Sequence, residues 1–171
     1  MTTWERTTIV QARITNPAAQ IAGALEALQS FAASATHAGI PDVTLYLVML
    51  RASQINGCSV CVDIHSRELE QAGESSERMH LVAAWREAPY FSDAERAALA
   101  LAEAATRIAD RADPVPDEVW TEAARHYDES QLAALIVAIA AINAFNRLNV
   151  ASRQPTGPWT AQFARRAAAP H

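Results

Sequence analysis

Hydrophobic residues recur along the chain at helical rather than strand spacing. The clearest case opens at Pro41-Asp42, where Val43, Leu47 and Leu50 fall on one side of a helix. No stretch alternates apolar and polar residues for long enough to predict a strand. The pattern therefore predicts an all-α protein.

Capping residues divide this pattern into separate helices. Asn16-Pro17 is typical of an N-cap followed by proline at the first helical position, and Ser92 and Glu95 have the spacing of a capping box. Gly73 lies where a left-handed residue can end a helix. The predicted helices cover 16 to about 37, a segment opening at 41, a segment carrying the cysteines, a segment after 74, and then 92–108, 118–126 and 129–150.

The chain has the size of one ordinary domain. Its 171 residues contain no repeat, no low-complexity linker and no shift in composition that would mark a second unit. We expect one domain over 1–171, with a core at 40–150 and an N-terminal helical extension. Pro155, Gly157 and Pro158 predict an irregular C-terminal tail.

The last predicted helix is apolar on nearly all of its sides, and such a helix must be covered all round. It is either the central helix of a monomer or is covered partly by another subunit, and we expect a homo-oligomer because small domains rarely enclose a helix fully. Its apolar run from Leu132 to Ile142 is shorter than the roughly 20 residues that cross a bilayer, so we expect no membrane span.

Composition and charge exclude several classes of partner. Half of the residues are hydrophobic (50%), and 14 basic residues face 19 acidic ones, for a formal net charge of −5. This charge gives no reason to expect a nucleic-acid or anionic-membrane partner. Residues Met1 to Arg6 lack the apolar segment of a signal peptide, so a cytoplasmic location is expected.

The candidate chemistry lies in one short segment that contains both cysteines of the chain. On a helix, Cys58, Cys61 and His65 fall within about 60° of arc, because each is one turn from the next. Gly57 directly precedes Cys58, as expected if the pair lies at a helix N-terminus. There, unpaired N–H groups and the helix dipole stabilise a thiolate, and a neighbouring histidine can accept the thiol proton.

Three interpretations of this segment compete. The cysteines form a redox-active dithiol, or they bind zinc together with His65, or they are small buried hydrophobic residues near an unrelated histidine. Structural zinc normally has four ligands. His80 or Asp63 could be the fourth ligand, but nothing in the spacing of either residue requires it. The redox dithiol is therefore favoured.

Other polar residues near the motif have ordinary structural interpretations. Asp63 is expected to be a solvated or ion-paired carboxylate, and Asn56 a hydrogen-bonded amide at a helix end. Glu103 and Arg107 are expected to pair, four residues apart, on a solvated helix face. None of these is expected to take part in chemistry.

Four segments of the chain carry a resemblance to a known family: the motif segment Arg51 to Ser66, the segments Ala84 to Ser92 and Glu95 to Ala100, and Ile142 to Leu148 in the last helix. They closely resemble AhpD-like alkylhydroperoxidases, in the carboxymuconolactone decarboxylase superfamily. Together they fall within residues 40–150. The resemblance implies an all-helical homo-oligomer, usually a trimer or hexamer, that needs no bound cofactor.

The resemblance also implies a function for the cysteines, the reduction of hydroperoxides. Cys61 would be the peroxide-attacking thiol, Cys58 would resolve the sulfenic acid and meet the electron donor, and His65 would belong to the proton relay. The implied partners are a hydroperoxide and a dithiol reductant such as a lipoyl protein or a thioredoxin-like protein. A disulfide reductase, or a redox- or zinc-responsive thiol module with little peroxidase activity, is the alternative.

The sequence departs from the family pattern at two relay positions. Tyr46 occupies the position of a glutamate twelve residues before the first cysteine, and Val60 that of a histidine before the second. Tyrosine is a poor base at neutral pH but can donate or pass a hydrogen bond, so Tyr46 is a candidate relay residue or a core residue. We expect dithiol exchange to be better preserved than peroxidase activity. The decarboxylase branch does not depend on a cysteine pair, so decarboxylation is not expected.

Overall fold

The computed structural model describes residues 11–167, and within them it contains helices and no strand, which confirms the all-α prediction there. The prediction made on Met1 to Arg6 lies outside the described residues. Two short 3-10 turns, Ala35–Ala38 and Val82–Ala84, accompany the α-helices. The α-helices are α1 (Pro17–Gln20), α2 (Ala24–Ser34), α3 (Asp42–Asn56), α4 (Ser59–Gln71), α5 (Ser76–Leu81), α6 (Asp93–Thr106), α7 (Asp117–His126), α8 (Glu129–Ser152) and α9 (Pro158–Ala167).

Capping boxes mark the starts of two helices, and one of them was predicted from the sequence. The predicted capping box of α6 is present, because Ser92 accepts a hydrogen bond from the backbone of Glu95 and the Glu95 carboxylate accepts one from the backbone of Ser92. Asp128 and Gln131 form a second capping box at the start of α8. Each box satisfies N–H groups that a helix start would otherwise leave without partners.

The first predicted helix is interrupted. Residues 16 to 37 were expected to form one helix, but α1 ends at Gln20 and α2 begins only after Gly23. Gly23 has φ 78°, a left-handed conformation that breaks the run of helical backbone angles. The prediction of one continuous helix is wrong at this point, and two helices replace it.

Helix α3 is the centre of the fold, since it packs against α4, α6 and α8. Leu47, Val48 and Leu50 on α3 are at most 1% exposed. Leu99 on α6 and Leu135 on α8 are also fully buried. Each such side chain contributes about 1.5–3 kcal/mol by leaving water, so this junction supplies much of the stability that positions α4.

Helix α8 contacts α2, α3, α4, α6 and α7. By length and composition alone it could cross a membrane, but half of its most apolar window is buried against the rest of the chain (50%). Its contacts are those of a core helix. On its outer side, Ile136 and Val137 are half-buried and pack against the core, whereas Ala140 and Val150 are exposed within the described part of the chain.

The C-terminal tail is not irregular throughout. From Pro158 the chain forms α9, which packs on α4. Thr160 is fully buried, and its hydroxyl donates a hydrogen bond to the Asp63 carboxylate. Ala164 is also fully buried. The prediction of an irregular tail is therefore wrong beyond 157, because proline is tolerated in the first turn of a helix and tertiary contacts with α4 stabilise this one.

Glu103 lies in a buried ionic cluster rather than on a solvated face. Only 7% of the residue is exposed, and its carboxylate accepts hydrogen bonds from Arg51 Nε at 2.7 Å and Arg86 Nη1 at 2.6 Å. Trp85 Nε1 donates a third bond at 3.0 Å. Arg107 Nη1 lies 3.4 Å from Oε2 of the same carboxylate. The predicted pairing with Arg107 exists, but the predicted exposure of Glu103 is wrong, because three residues distant in sequence converge on it.

These contacts change the proton affinity of Glu103. Burial by itself raises the pKa of its carboxyl group, but hydrogen bonds from Arg86, Arg51 and Trp85 outweigh burial and lower the pKa to about 2. A carboxylate with a lowered pKa stabilises the folded state above its ordinary pKa of 4.5. That contribution is lost as the pH falls towards 2.

We predict that Glu103→Gln lowers the free energy of unfolding by about 3 kcal/mol at neutral pH, because it leaves the guanidinium groups around it without their counter-charge. Urea denaturation measures this difference. Glu122→Gln is the control, since Glu122 pairs with Arg125 and His126 at the surface and its loss should have little effect.

The difference in the free energy of unfolding between wild type and Glu103→Gln should become smaller in acid. It should be complete above pH 4.5 and narrow progressively below it, as Glu103 takes up a proton in the unfolded state first. Denaturation series at neutral pH and at about pH 3 test this dependence. An equal difference at both pH values would show that the carboxylate charge does not stabilise the cluster.

Candidate functional site

The cysteine pair lies at the junction of two helices. Gly57 ends α3 in a left-handed conformation with φ 67° and ψ 29°, and the next residue, Cys58, is the N-cap of α4. The N–H of Cys61 donates to Cys58 Sγ at 3.3 Å. Cys58 therefore precedes the helix on which Cys61 lies, and its sulfur occupies the place where a helix N-terminus stabilises negative charge.

The two cysteines form a disulfide with a Cα–Cα distance of 5.4 Å. Cys58 is 1% exposed and Cys61 is 3% exposed. They pack in a small apolar cluster with neighbours from α3, α4 and α8, namely Met49, Ala52, Val60, Ile64, Ile142 and Phe145. Gly57 and Ser59, which flank Cys58, are exposed. Both cysteines are thus almost fully buried, while the residues on either side of Cys58 lie at the surface.

His65 lies one turn beyond Cys61 on α4 and is paired with a buried carboxylate. Its Nδ1 is 2.6 Å from Oε2 of Glu68, and the two residues are 9% and 8% exposed. A carboxylate that accepts from Nδ1–H leaves Nε2 available to accept or return a proton. Glu68 thus orients the ring of His65.

Sequence reasoning missed Glu68, although a signal for it was present. Cys61, His65 and Glu68 are spaced four and then three residues apart, which continues the same helix face by one more turn. A carboxylate three residues beyond a histidine on one helix face lies within reach of its ring, and this spacing is the signal that could have identified Glu68.

The two departures from the family pattern have different surroundings. Tyr46 is half-buried beside the apolar cluster that includes Leu50 and Leu69. Burial raises the pKa of Tyr46, and the negative charges of Glu68 and Asp42 raise it further, so its hydroxyl stays protonated at neutral pH. It can donate a hydrogen bond but cannot act as a base. Val60 is 2% exposed and packs in the core, where it offers no group for proton transfer.

Helix α8 brings a second missed residue to the sulfur atoms. Nδ2 of Asn149 lies 3.4 Å from Cys61 Sγ, and Oδ1 of Asn149 accepts from Nδ2 of Asn16 at 3.0 Å. Asn149 is 88 residues from Cys61 in sequence. Asn143, Asn146 and Asn149 recur every third residue in a helix whose other residues are mostly apolar, which is the signal that could have identified Asn149.

The other two asparagines hold α8 against the end of α3. Nδ2 of Asn56 donates to Asn143 at 2.9 Å and to Asn146 at 2.8 Å. Asn146, which is fully buried, donates in turn to Ser53 at 3.1 Å. Asn56 is thus a hydrogen-bonded amide at a helix end, as predicted, and the network fixes the distance between α8 and the cysteine segment.

Asp63 has a structural role. It pairs with Arg67 at 3.1 Å and accepts from Thr160, which confirms the prediction of an ion-paired carboxylate. For the zinc interpretation, no three His, Cys, Asp or Glu side chains between residues 11 and 167 are arranged to hold a metal ion. The geometry of these residues gives the zinc interpretation no support.

Comparison with known proteins relates the chain to one family. The model of the carboxymuconolactone decarboxylase family matches residues 22–104. The uncharacterized protein YdfG of Bacillus subtilis is 38% identical over 112 residues, which are 66% of this chain and 75% of YdfG. The uncharacterized protein YnjA of Escherichia coli is 38% identical over 116 residues, and the match spans 68% of this chain and 62% of YnjA.

Solved structures show the same fold. An Agrobacterium tumefaciens protein of unknown function, described as an AhpD antioxidant defence candidate, superposes with a TM-score of 0.80 at 33% identity over 86% of this chain and 99% of that one. The debrominase Bmp8 has a TM-score of 0.70 at 21% identity over 83% of this chain and 75% of its own, a likeness of fold alone. With this fold and these levels of identity, the chain belongs to the carboxymuconolactone decarboxylase superfamily as an AhpD-like protein.

Proposed function

We propose that this protein is a thiol-dependent reductase of alkyl hydroperoxides that works through the Cys58–Cys61 pair. The observation that carries the proposal is the placement of this pair at the N-terminus of α4, one turn from the buried His65–Glu68 pair. The N-terminus of α4 stabilises a thiolate at Cys58, the resolving thiol, and His65 one turn beyond Cys61 offers the attacking thiol a group for its proton.

The proposed cycle transfers two electrons from a dithiol to the peroxide. The Cys61 thiolate attacks one peroxide oxygen, the O–O bond breaks, and the alcohol leaves with a proton while Cys61 becomes a sulfenic acid. The Cys58 thiolate then attacks Cys61 Sγ, water leaves, and the disulfide seen in the structure forms. A dithiol reductant attacks Cys58, releases the Cys61 thiolate, and closes its own disulfide as it leaves.

His65 would move the proton in this cycle. With Nδ1 bound to Glu68, its Nε2 is free to take the proton of the attacking thiol and return it to the departing alcohol. Glu68 would thereby replace the carboxylate that the family places at position 46. Tyr46 would contribute at most a hydrogen bond, because its pKa is raised by burial and by the charges of Glu68 and Asp42.

The reductant is proposed to be a lipoyl protein or a thioredoxin-like protein. Cys58 is flanked by exposed Gly57 and Ser59, whereas Cys61 faces Asn149 on α8. A small local opening at Gly57–Ser59 would expose Cys58 first, which suits the thiol that meets a protein donor. We place this reaction in the cytoplasm, where such dithiol donors are kept reduced.

We also propose that the protein works as a homo-oligomer, a trimer or a hexamer. Support comes from apolar side chains without cover in the described chain. Val150 at the outer side of α8 is 44% exposed, and on and before α2, Ile21 is 64% and Phe31 is 44% exposed. Surfaces of this kind commonly form contacts between subunits.

A second candidate is disulfide exchange with little peroxidase activity, as in a disulfide reductase or a thiol sensor. The observation that favours it is the presence of Tyr46 and Val60 at two relay positions, which weakens the removal of the thiol proton. Exchange needs only the cysteine pair, so it tolerates a weaker proton relay.

Multiple-turnover peroxide consumption tests the proposed function. Reduced protein is mixed with a small organic hydroperoxide, with and without dithiothreitol, and free thiols are counted. We expect the loss of two thiols per chain without the dithiol and continuous turnover with it, and no turnover by Cys61→Ser. Thiols that stay reduced through a large excess of peroxide would rule out the peroxidase and leave the exchange function.

We predict that Glu68→Gln slows the reaction with hydroperoxide by about 10²-fold, because the carboxylate no longer orients His65 for proton transfer. Stopped-flow oxidation of the reduced variant measures this rate. Glu70→Gln is the matched control, since Glu70 is an exposed residue on the same helix. Equal rates for both variants would show that Glu68 does not serve the reaction.

A further inference from the structure

Three hydrogen bonds in series lead from the start of α1 to the sulfur of Cys61. Oδ1 of Asn16 accepts from the backbone N–H of Ala18 at 3.0 Å. Nδ2 of Asn16 donates to Oδ1 of Asn149 at 3.0 Å. Nδ2 of Asn149 points to Cys61 Sγ at 3.4 Å. The series thus connects the N-terminal segment, the end of α8 and the N-terminus of α4.

The backbone of α1 determines the direction of every bond in this series. The N–H of Ala18 can only donate, so the side-chain oxygen of Asn16 must face it. The amide nitrogen of Asn16 then faces Asn149, which must present its oxygen there and its nitrogen to Cys61. The orientation of both side-chain amides therefore follows from the N–H of Ala18, which cannot act as an acceptor.

Burial makes the final contact important for reactivity. Asn149 is 8% exposed and Cys61 is 3% exposed, so water contributes little to solvating a charge on this sulfur. A charged group with poor access to water depends on protein donors for its stability. Cys58 Sγ receives the N–H of Cys61 at 3.3 Å, and the side chain of Asn149 serves Cys61. Each sulfur thus has a donor of its own.

We propose that Asn149 is a catalytic residue that stabilises the Cys61 thiolate, and that Asn16 is a positioning residue that keeps the Asn149 amide turned towards the sulfur. The proposal rests on the proposed function, in which Cys61 attacks the peroxide. The same donor serves the return step. When a dithiol attacks Cys58, the S–S bond breaks and its electron pair goes to Cys61 Sγ, where the N–H of Asn149 lies.

Titration of the Cys61 thiol tests the proposal without any peroxide. In a reduced Cys58→Ser background, the ultraviolet absorbance of the thiolate is followed against pH, with the Cys58→Ser/Cys61→Ser protein as the blank. We expect Asn149→Ala to raise the pKa of Cys61 by about one unit, the loss of one hydrogen bond to a charged group. The rate of alkylation by iodoacetamide should show the same shift.

Asn16→Asp separates positioning from folding. The carboxylate still accepts from Ala18 and caps α1, but it offers Asn149 no N–H. Asn149 must then turn its nitrogen towards position 16 and its oxygen towards the sulfur, so the pKa of Cys61 should rise by at least as much as in Asn149→Ala. The new negative charge raises this pKa by itself. The same substitution in the Asn149→Ala background measures that charge effect alone, and the shift caused by Asn16→Asp when Asn149 is present should be clearly larger. The control Ser152→Ala removes a buried polar group one turn along α8, which bonds Leu148 and Gln154, and should leave the titration unchanged.

The outcomes are distinct. Titration curves of Asn149→Ala and its parent that superimpose would overturn the role of Asn149. A shift from Asn16→Asp that is no larger than the shift the same substitution causes in the Asn149→Ala background would overturn the role of Asn16. A shift in Ser152→Ala as large as in both variants would show a general effect of loosening α8 and would also overturn the proposal. Failure of the peroxidase function would appear separately, as absent turnover with the shifts intact.

Discussion

The left-handed turn at Gly57 determines where both sulfur atoms lie. Only one residue separates α3 from the N-cap of α4, so Cys58 must cap the new helix and Cys61 must lie in its first turn. An added Cβ at Gly57 would meet nothing within 4 Å, so glycine is required for its backbone angle, φ 67°, and not for space. Another residue there would cost about 1–2 kcal/mol. The thiolate-stabilising end of α4 follows from this turn.

Helix α8 supplies the polar groups that the site lacks on α4. Its core positions are apolar, but the stripe Asn143, Asn146 and Asn149 faces α3 and α4. Buried amides need partners, and these find them in Asn56, Ser53 and Cys61 Sγ. One helix therefore provides both apolar cover for the disulfide and an N–H donor for one of its sulfurs, which links the packing of the fold to the chemistry of the pair.

Local signals predicted the helices and the position of the motif, because a cap such as Ser92 or a turn glycine such as Gly57 acts within a few residues. Contacts between distant segments could not be predicted in the same way. Asn149 reaches Cys61 across 88 residues, and Glu103 is buried because arginines from other elements converge on it. Helix α9 forms where contact with α4 stabilises a sequence that looks irregular alone. Helical periodicity alone could have predicted the position of Glu68, which lies one turn beyond His65 on the same face.

The assignment of Cys61 as the attacking thiol is tested most directly by trapping its sulfenic acid. Reduced Cys58→Ser and Cys61→Ser proteins are treated with an equimolar hydroperoxide in the presence of a dimedone reagent, and the labelled residue is identified by mass spectrometry. We expect rapid labelling of Cys61 in Cys58→Ser, because Asn149 lies beside that sulfur and His65 lies one helical turn beyond it. Labelling of Cys58 in the Cys61→Ser protein, together with no labelling of Cys61 in the Cys58→Ser protein, would show that the N-cap thiol reacts instead.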